Sequence, residues 1–305
     1  MARRDEAAIR APGRWRGPLL IAILALVWGS NFAWIKVSLH AFAPAQLTFT
    51  RTLLGALVLC AALAVRRERL PRTADTWAHL AVAALIGNAL PYLLFALGQT
   101  RVDSSIAGTI NATTPLWTLA LVTALGHGEA STGRRVAGFV LGLLGCVVLL
   151  APWNARGIDL IGALACQAAA ISYAASYVYL ARFLAPRALT PTVLSAAQLL
   201  TATAWTLLAL IPNPGRMPTA QPGPLLAIAV LGILGTGAAY VVNYGLIRTQ
   251  GAAGASVVIY FIPVVSVALG VTVLAEPFTP NRITGTALII TGVALTQSAI
   301  LKLKS

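Results

Sequence analysis

Charged residues and Pro/Gly clusters divide this chain into apolar runs near residues 18–37, 42–65, 77–99, 104–125, 134–152, 158–181, 190–211, 223–247, 252–274 and 283–301. Most exceed roughly 18 residues, the length that separates a bilayer-spanning helix from one buried in a soluble core. The pattern predicts an all-α polytopic membrane protein of ten transmembrane helices joined by short loops. Arg51 interrupts the second run and makes it the least regular of the ten. Composition agrees, with 58% hydrophobic residues, 10% charged ones and a mean hydropathy of +0.82 over 305 residues. A soluble domain carries about a quarter charged residues, so this chain cannot cover itself with polar surface. A water-soluble enzyme, a disordered chain and a disulfide-stapled secreted domain are excluded. Cys60, Cys146 and Cys166 all fall inside the runs and read as small packing residues, with no disulfide framework.

The net charge of +14 arises from 22 Lys and Arg against 8 Asp and Glu. Ten spans put both termini on one face. If that face is cytoplasmic, Arg101, Arg156, Arg216 and Arg282 lie outside, and Lys36 and Arg51 lie in or at the edge of spans. The other 16 basic residues then lie inside. Loop Lys/Arg bias sets orientation, so a multi-pass protein of the cell (inner) membrane with both termini cytoplasmic is expected. Basic residues spread over five inside segments, without an aromatic–basic motif, exclude a nucleic-acid partner. Ala41-Phe42-Ala43 has the small-x-small form of a signal cleavage site. The preceding run is longer than a signal h-region and Pro44 would follow the cut, so an uncleaved first span is expected.

The chain matches itself. Pro44 and Arg51 pair with Pro191 and Gln198 at an offset of 147, and Tyr92 and Pro115 with Tyr240 and Pro263 at 148. Glu129, Arg135, Gly138 and Gly145 then pair with Glu276, Arg282, Gly285 and Gly292 at 147. One single-residue indel reconciles all of them. The organisation this predicts is a basic N-terminal segment (1–17), a first five-helix repeat (18–152), a second (158–301) and a C-terminal tail (302–305). Five is odd, so the second copy enters the membrane from the opposite side. A 5+5 inverted-topology repeat is a transporter architecture, with its site near the midplane between repeats.

The first run reads Trp28-Gly29-Ser30-Asn31-Phe32-Ala33-Trp34-Ile35-Lys36, and the second begins with Pro44 and carries Arg51. Each half then shows a mid-span Pro (Pro115, Pro263), a Glu at the end of that span (Glu129, Glu276) and a Gly-spaced last helix. This order resembles the EamA-type family of the drug/metabolite transporter superfamily over about residues 18–301. The resemblance implies a carrier whose central cavity is lined mainly by the first, third and fourth helices of each half. It also implies export of amino acids, aromatic ones included, and of other small metabolites. Gln198 departs from the pattern, so any role of Arg51 is not duplicated.

Polar groups inside apolar spans must face protein or a water-filled cavity. Helical spacing groups Trp28, Asn31 and Trp34; Asn88 and Tyr92; Asn111 and Thr114; Tyr173 and Tyr177; Tyr240, Asn243 and Tyr244; and Ser256 and Tyr260. The expected substrate cavity comprises these stripes, with aromatic walls and a few amides to fix orientation. Helix–helix packing is the alternative for each residue taken singly. Arg51, a charge deep in a span, either contacts a substrate carboxylate or bonds the carbonyls of a neighbouring helix. Lys36 is expected to snorkel outward. Pro115 and Pro263 are expected helix kinks, and Glu129–Arg135 and Glu276–Arg282 interfacial ion pairs. Gly138-x-x-x-Gly142 is expected to pack within its own half. A monomer follows, with a homodimer through this motif as the alternative.

No Asp, Glu or His lies mid-span, no Gly-rich phosphate loop is present, and neither a metal cluster nor a nucleophile–base pair is evident. No cofactor, metal or catalytic activity is expected. The leading function is a secondary transporter exporting small metabolites, amino acids first among them, by alternating access. Efflux of lipophilic drugs is the alternative within transport. A membrane-embedded enzyme is the alternative of another class and lacks a catalytic constellation.

Overall fold

A computed structural model of the chain describes residues 16–125, 133–151, 158–212, 214–215, 217–243, 245–246 and 257–301. Among the described residues the regular elements are all helical. They are α1 (Arg16–Ser38), α2 (Pro44–Arg66), α3 (Ala74–Gln99), α4 (Ser104–Asn111), α5 (Thr114–Ala124), α6 (Gly133–Leu150), α7 (Leu160–Arg187), α8 (Pro191–Leu210), α9 (Pro222–Asn243), α10 (Val258–Thr272) and α11 (Pro280–Leu301). Seven of them, α1–α3 and α6–α9, are long and apolar enough to cross a bilayer, so the chain is a multi-pass membrane protein.

Local chemistry explains where several helices begin and bend. Pro44 opens α2 and Pro191 opens α8, where a missing N–H is harmless. Thr190 caps α8 by accepting from the Val193 N–H at 3.3 Å. Asp159 caps α7, its Oδ1 accepting from the Gly162 N–H at 2.8 Å. That bond, and then the Arg101 guanidinium, hold the Asp159 carboxyl below its ordinary range against an opposing loss of hydration. Inside α3, residues Leu85–Ala89 widen into a π-helical turn that ends just before Pro91. Pro91 has no N–H to offer Gly87 O, and Leu90 N bonds Leu85 O instead. A longer π-helical segment, Val230–Ala238, interrupts α9.

The prolines expected to kink their helices behave differently from each other. The run at 104–125 is two helices, α4 and α5, with Pro115 in the first turn of the second. Hydroxyls cover the break: Thr113 Oγ1 donates to Ile110 O and Thr114 Oγ1 to Asn111 O, both at 2.7 Å. Pro263 instead lies within α10, which continues through it.

Helices pack across the two halves of the chain. α1 lies against α10 and α9, while α7 lies against α3, α4 and α5. α2 meets α8, and α6 meets α11. One buried cluster joins Phe32, Phe95, Ile106 and Leu116 to Ile262 and Ile289. The α6–α11 crossing is backbone-close. A Cβ on Gly292 would stand 2.6 Å from Gly138 O and Gly142 N, and one on Gly285 would stand 2.6 Å from Leu149 N. The glycine motif of α6 thus serves both sides: Gly142 meets Leu116 of its own half, as expected, while Gly138 packs against the last helix of the other half. Close backbone approach needs small residues here, since neighbouring helices gain from tight dispersion contact rather than from hydrophobicity. Overpacking typically costs about 1–3 kcal/mol, so Gly285→Leu should lower the melting temperature of the detergent-purified protein. Gly133→Ala, with open space around it, should leave the melting temperature unchanged.

Candidate functional site

The sequence places amides and aromatic rings on the inward stripes of α1, α3, α7 and α9, and the fold turns those stripes toward one another. Between them lies a cavity of about 300 Å³. α1 contributes Trp28, Asn31, Phe32 and Ile35, and α3 contributes Gly87, Asn88, Tyr92 and Phe95. Asn111 and Thr114 enter from the α4–α5 break, Tyr173, Ser176, Tyr177 and Leu180 from α7, and Gly235, Tyr240 and Asn243 from α9. Arg51 of α2 and Gln198 of α8, the pair matched by the internal repeat, also line it.

Arg51 is 5% exposed. Its Nε donates to Thr236 Oγ1 at 2.9 Å, and its guanidinium carbon stands 3.8 Å from the centroid of the Tyr92 ring. Thr236 Oγ1 in turn donates to Leu231 O at 2.9 Å. The hydroxyl therefore ties the arginine to the π-helical segment of α9. A cation over a tyrosine face is favourable, more so when desolvated. No further hydrogen bond of the guanidinium is found among the described residues, and Arg51 lines the cavity. No carboxylate appears among the described lining residues. Beside it, Asn88 Nδ2 donates to Tyr240 Oη at 3.2 Å and to Tyr92 Oη at 3.4 Å, bridging the two halves. Tyr92 meets Tyr173 edge-on at 6.4 Å.

Two polar contacts link the first helix of each half to the π-helical segment of the other. Asn31 Nδ2 donates to Gly235 O at 3.3 Å, and Ser172 Oγ donates to Ile86 O at 2.6 Å. Gly235 and Gly87 are themselves an offset of 148 apart. Each admits a side chain where a Cβ would collide: Asn31 Oδ1 occupies the space of a Cβ on Gly235, and Ser176 Oγ that of one on Gly87.

Of the expected stripe residues, Trp28, Asn31, Asn88, Tyr92, Asn111, Thr114, Tyr173, Tyr177, Tyr240 and Asn243 surround this cavity. Trp34 and Tyr260 do not. Trp34 Nε1 donates to Ser30 Oγ at 3.2 Å, and its ring packs beside Ile35, Phe42 and Leu47. Tyr260 packs against the central apolar cluster, and Ile259 and Ile262 of α10 reach the cavity in its place. Tyr244 and Ser256 lie outside the described residues. Gln198 was reachable from sequence only as the repeat partner of Arg51.

The charged ends also differ from expectation. Lys36 does not snorkel; its Nζ donates to Gln99 O at 2.9 Å and Val102 O at 2.8 Å, closing the C-terminus of α3. Glu276 and Arg282 do not pair with each other. Glu276 caps α4, accepting from Ser104 N and Oγ at 2.7 Å and from Ser105 N at 3.0 Å. Arg282 bonds Asp103 at 2.5 Å, with Ser105 Oγ at 3.4 Å. A carboxylate at a helix N-terminus gains from exposed N–H groups and the helix dipole together. The result is a clasp between the two halves of the chain. Arg135 is buried, and its expected partner Glu129 lies outside the described residues.

The model of the EamA-like transporter family matches residues 15–151 and again 160–297. The chain is 25% identical over 284 residues to the uncharacterized transporter YvbV of Bacillus subtilis, covering 93% of this chain and 92% of that one. It is 30% identical over 265 residues to the uncharacterized inner membrane transporter YedA of Escherichia coli, covering 83% and 82%. A Chlamydia trachomatis S-adenosylmethionine/S-adenosylhomocysteine transporter is 34% identical over 133 residues, which is 43% of this chain and 40% of that one. A solved crystal structure, 24% identical, shares the fold with a TM-score of 0.67 over 95% of this chain and 99% of its own.

Hydrogen bonds to charged groups contribute about 1.5–3 kcal/mol. Glu276→Gln should therefore lower the thermal melting temperature measurably, and Asp103→Asn should do so by less because its partner Arg282 keeps the Ser105 contact.

Proposed function

We propose that this chain, which belongs to the EamA-like transporter family and is thus a membrane transporter of small molecules, exports small carboxylate-bearing metabolites by alternating access. Amino acids, aromatic ones among them, are the first candidates. The observation that carries this reading is Arg51: a guanidinium 5% exposed, resting on Tyr92 and Thr236, in the wall of an aromatic cavity. Burying a charge without a partner costs several kcal/mol, and a cargo carboxylate would complete it. The substrates in the name of the Chlamydia relative carry a carboxylate and an aromatic base together with an α-ammonium group, as aromatic amino acids pair a carboxylate and a ring. The cavity residues named above would contact this cargo, and the membrane and the cargo are the partners this reading requires.

The architecture behind the reading is ten crossings in two antiparallel copies, 18–152 and 158–301. The seven long apolar helices, the α4–α5 pair, α10 and α11 would supply the ten. Three features support the inverted repeat. Two π-helical segments fall at equivalent positions, Leu85–Ala89 and Val230–Ala238, although a third, Leu180–Leu184 in α7, has no counterpart in α1. The first helix of each half packs on the third and fourth runs of the other. The polar contacts at Gly235 O and Ile86 O repeat the same exchange. One end of the bundle carries Arg66, Arg67, Arg69, Arg72, Arg182 and Arg187, set against Glu68 and Asp75. That bias supports placing this end, and both termini with it, in the cytoplasm. In proteoliposomes, Arg51→Gln should reduce uptake of a labelled carboxylate cargo at least tenfold while Arg51→Lys retains part of it. Wild-type flux in Arg51→Gln would overturn the role of this residue.

A further inference from the structure

The chain holds eight acidic residues: Asp5, Glu6, Glu68, Asp75, Asp103, Glu129, Asp159 and Glu276. Five lie within the described residues, and each is engaged away from the cavity. Glu68 accepts from Thr190, Asp75 pairs with Arg187, and Asp103 pairs with Arg282. Asp159 caps α7, and Glu276 caps α4. The remaining three stand in sequence outside the apolar runs, two before residue 18 and one after residue 125. The basic side is different in kind, because Arg51 lines the cavity with no carboxylate among the described lining residues. The two halves are also unequal at this point: where the first presents Arg51, the second presents neutral Gln198, 7% exposed and facing the same space.

Charge balance follows from these placements. A cargo carboxylate on Arg51 leaves the occupied cavity neutral. An α-ammonium group would bring in a second positive charge a few ångströms from the guanidinium, where like charges repel strongly at low dielectric. It would find tyrosine faces and amide oxygens, but no carboxylate among the described lining residues. Resting on the carboxylate-carrier reading above but departing from its amino-acid candidates, we infer that the preferred cargo is a net monoanion, an aromatic carboxylate without an ammonium group. We further infer that the membrane potential drives its exit without a co-transported ion. An anion leaving a negative interior runs downhill, and a single charge reaches a tenfold concentration ratio at about 59 mV. A carrier of this kind needs no titratable carboxylate in the membrane, and this chain places its acids at the ends.

The test uses the wild-type full chain in liposomes, with protein-free vesicles as control. Valinomycin and a tenfold potassium gradient set the potential. Three labelled molecules share one ring: phenylpyruvate, phenylalanine and phenethylamine. Phenylpyruvate should accumulate about tenfold on the positive side, reversing when the gradient is reversed, while phenylalanine should enter no faster than it does in protein-free vesicles. Movement of phenylalanine without phenylpyruvate would overturn the monoanion cargo and leave the carrier intact. Phenylpyruvate reaching equal concentrations whatever the potential would overturn the voltage drive. Accumulation of phenethylamine on the negative side would overturn the charge assignment. Movement of none of the three would overturn the carboxylate-carrier reading, and this inference with it.

Discussion

A helix that widens or breaks inside a membrane releases backbone carbonyls that no lipid can satisfy, and each such group costs several kcal/mol. In this bundle the donors come from side chains placed for the purpose. Gly235 O in the π-helical part of α9 is met by Asn31 of α1, and Ile86 O in that of α3 by Ser172 of α7. The break between α4 and α5 is covered by Thr113 and Thr114, and the end of α3 by Lys36. Irregular backbone can therefore sit at membrane depth only where the opposing helix is in register. The same register brings the polar stripes together around one cavity.

The constraint also explains why the site belongs to both halves. Glycine at positions 87 and 235 lets a polar side chain from the opposite half press against the π-helical backbone. Thr236 lies next to Gly235 and bonds Arg51. Arg51 stacks on Tyr92, and Tyr92 shares the Asn88 amide with Tyr240. Backbone repair, charge placement and cavity wall thus form one continuous network. Any rearrangement that exchanges the two halves must exchange these contacts together, which suits a two-state device better than a gradual one.

Much of this was legible in the sequence because bilayer thickness imposes its own length scale. Runs of about 20 apolar residues, and the i, i+4 spacing of Asn88 with Tyr92 and of Tyr173 with Tyr177, report directly on span and face. Errors arose where that reasoning was stretched. Trp34 is six residues from Trp28, about 120° round a helix, so it turns away to Ser30 and the Ile35 cluster. On α10 the cavity-facing positions are Ile259 and Ile262, adjacent to the polar Tyr260 chosen for its chemistry. Glu276 and Arg282 looked like partners because they repeat Glu129 and Arg135, yet their partners lie about 170 residues away. Pairwise spacing cannot reveal contacts that exist only after the halves meet. Gln198 shows the converse: its place in the cavity was implicit in the repeat, which matched it to Arg51.

The central claim is that the space between the halves holds the cargo and opens alternately to the two sides. The most direct measurement is thiol labelling of Gln198→Cys, in a background with Cys60, Cys146 and Cys166 replaced by alanine, using a charged membrane-impermeant reagent on sealed vesicles. The account predicts modification from either face of the membrane, slowed from both faces by a saturating aromatic carboxylate. Labelling from one face alone, or a rate that the carboxylate leaves unchanged, would contradict it.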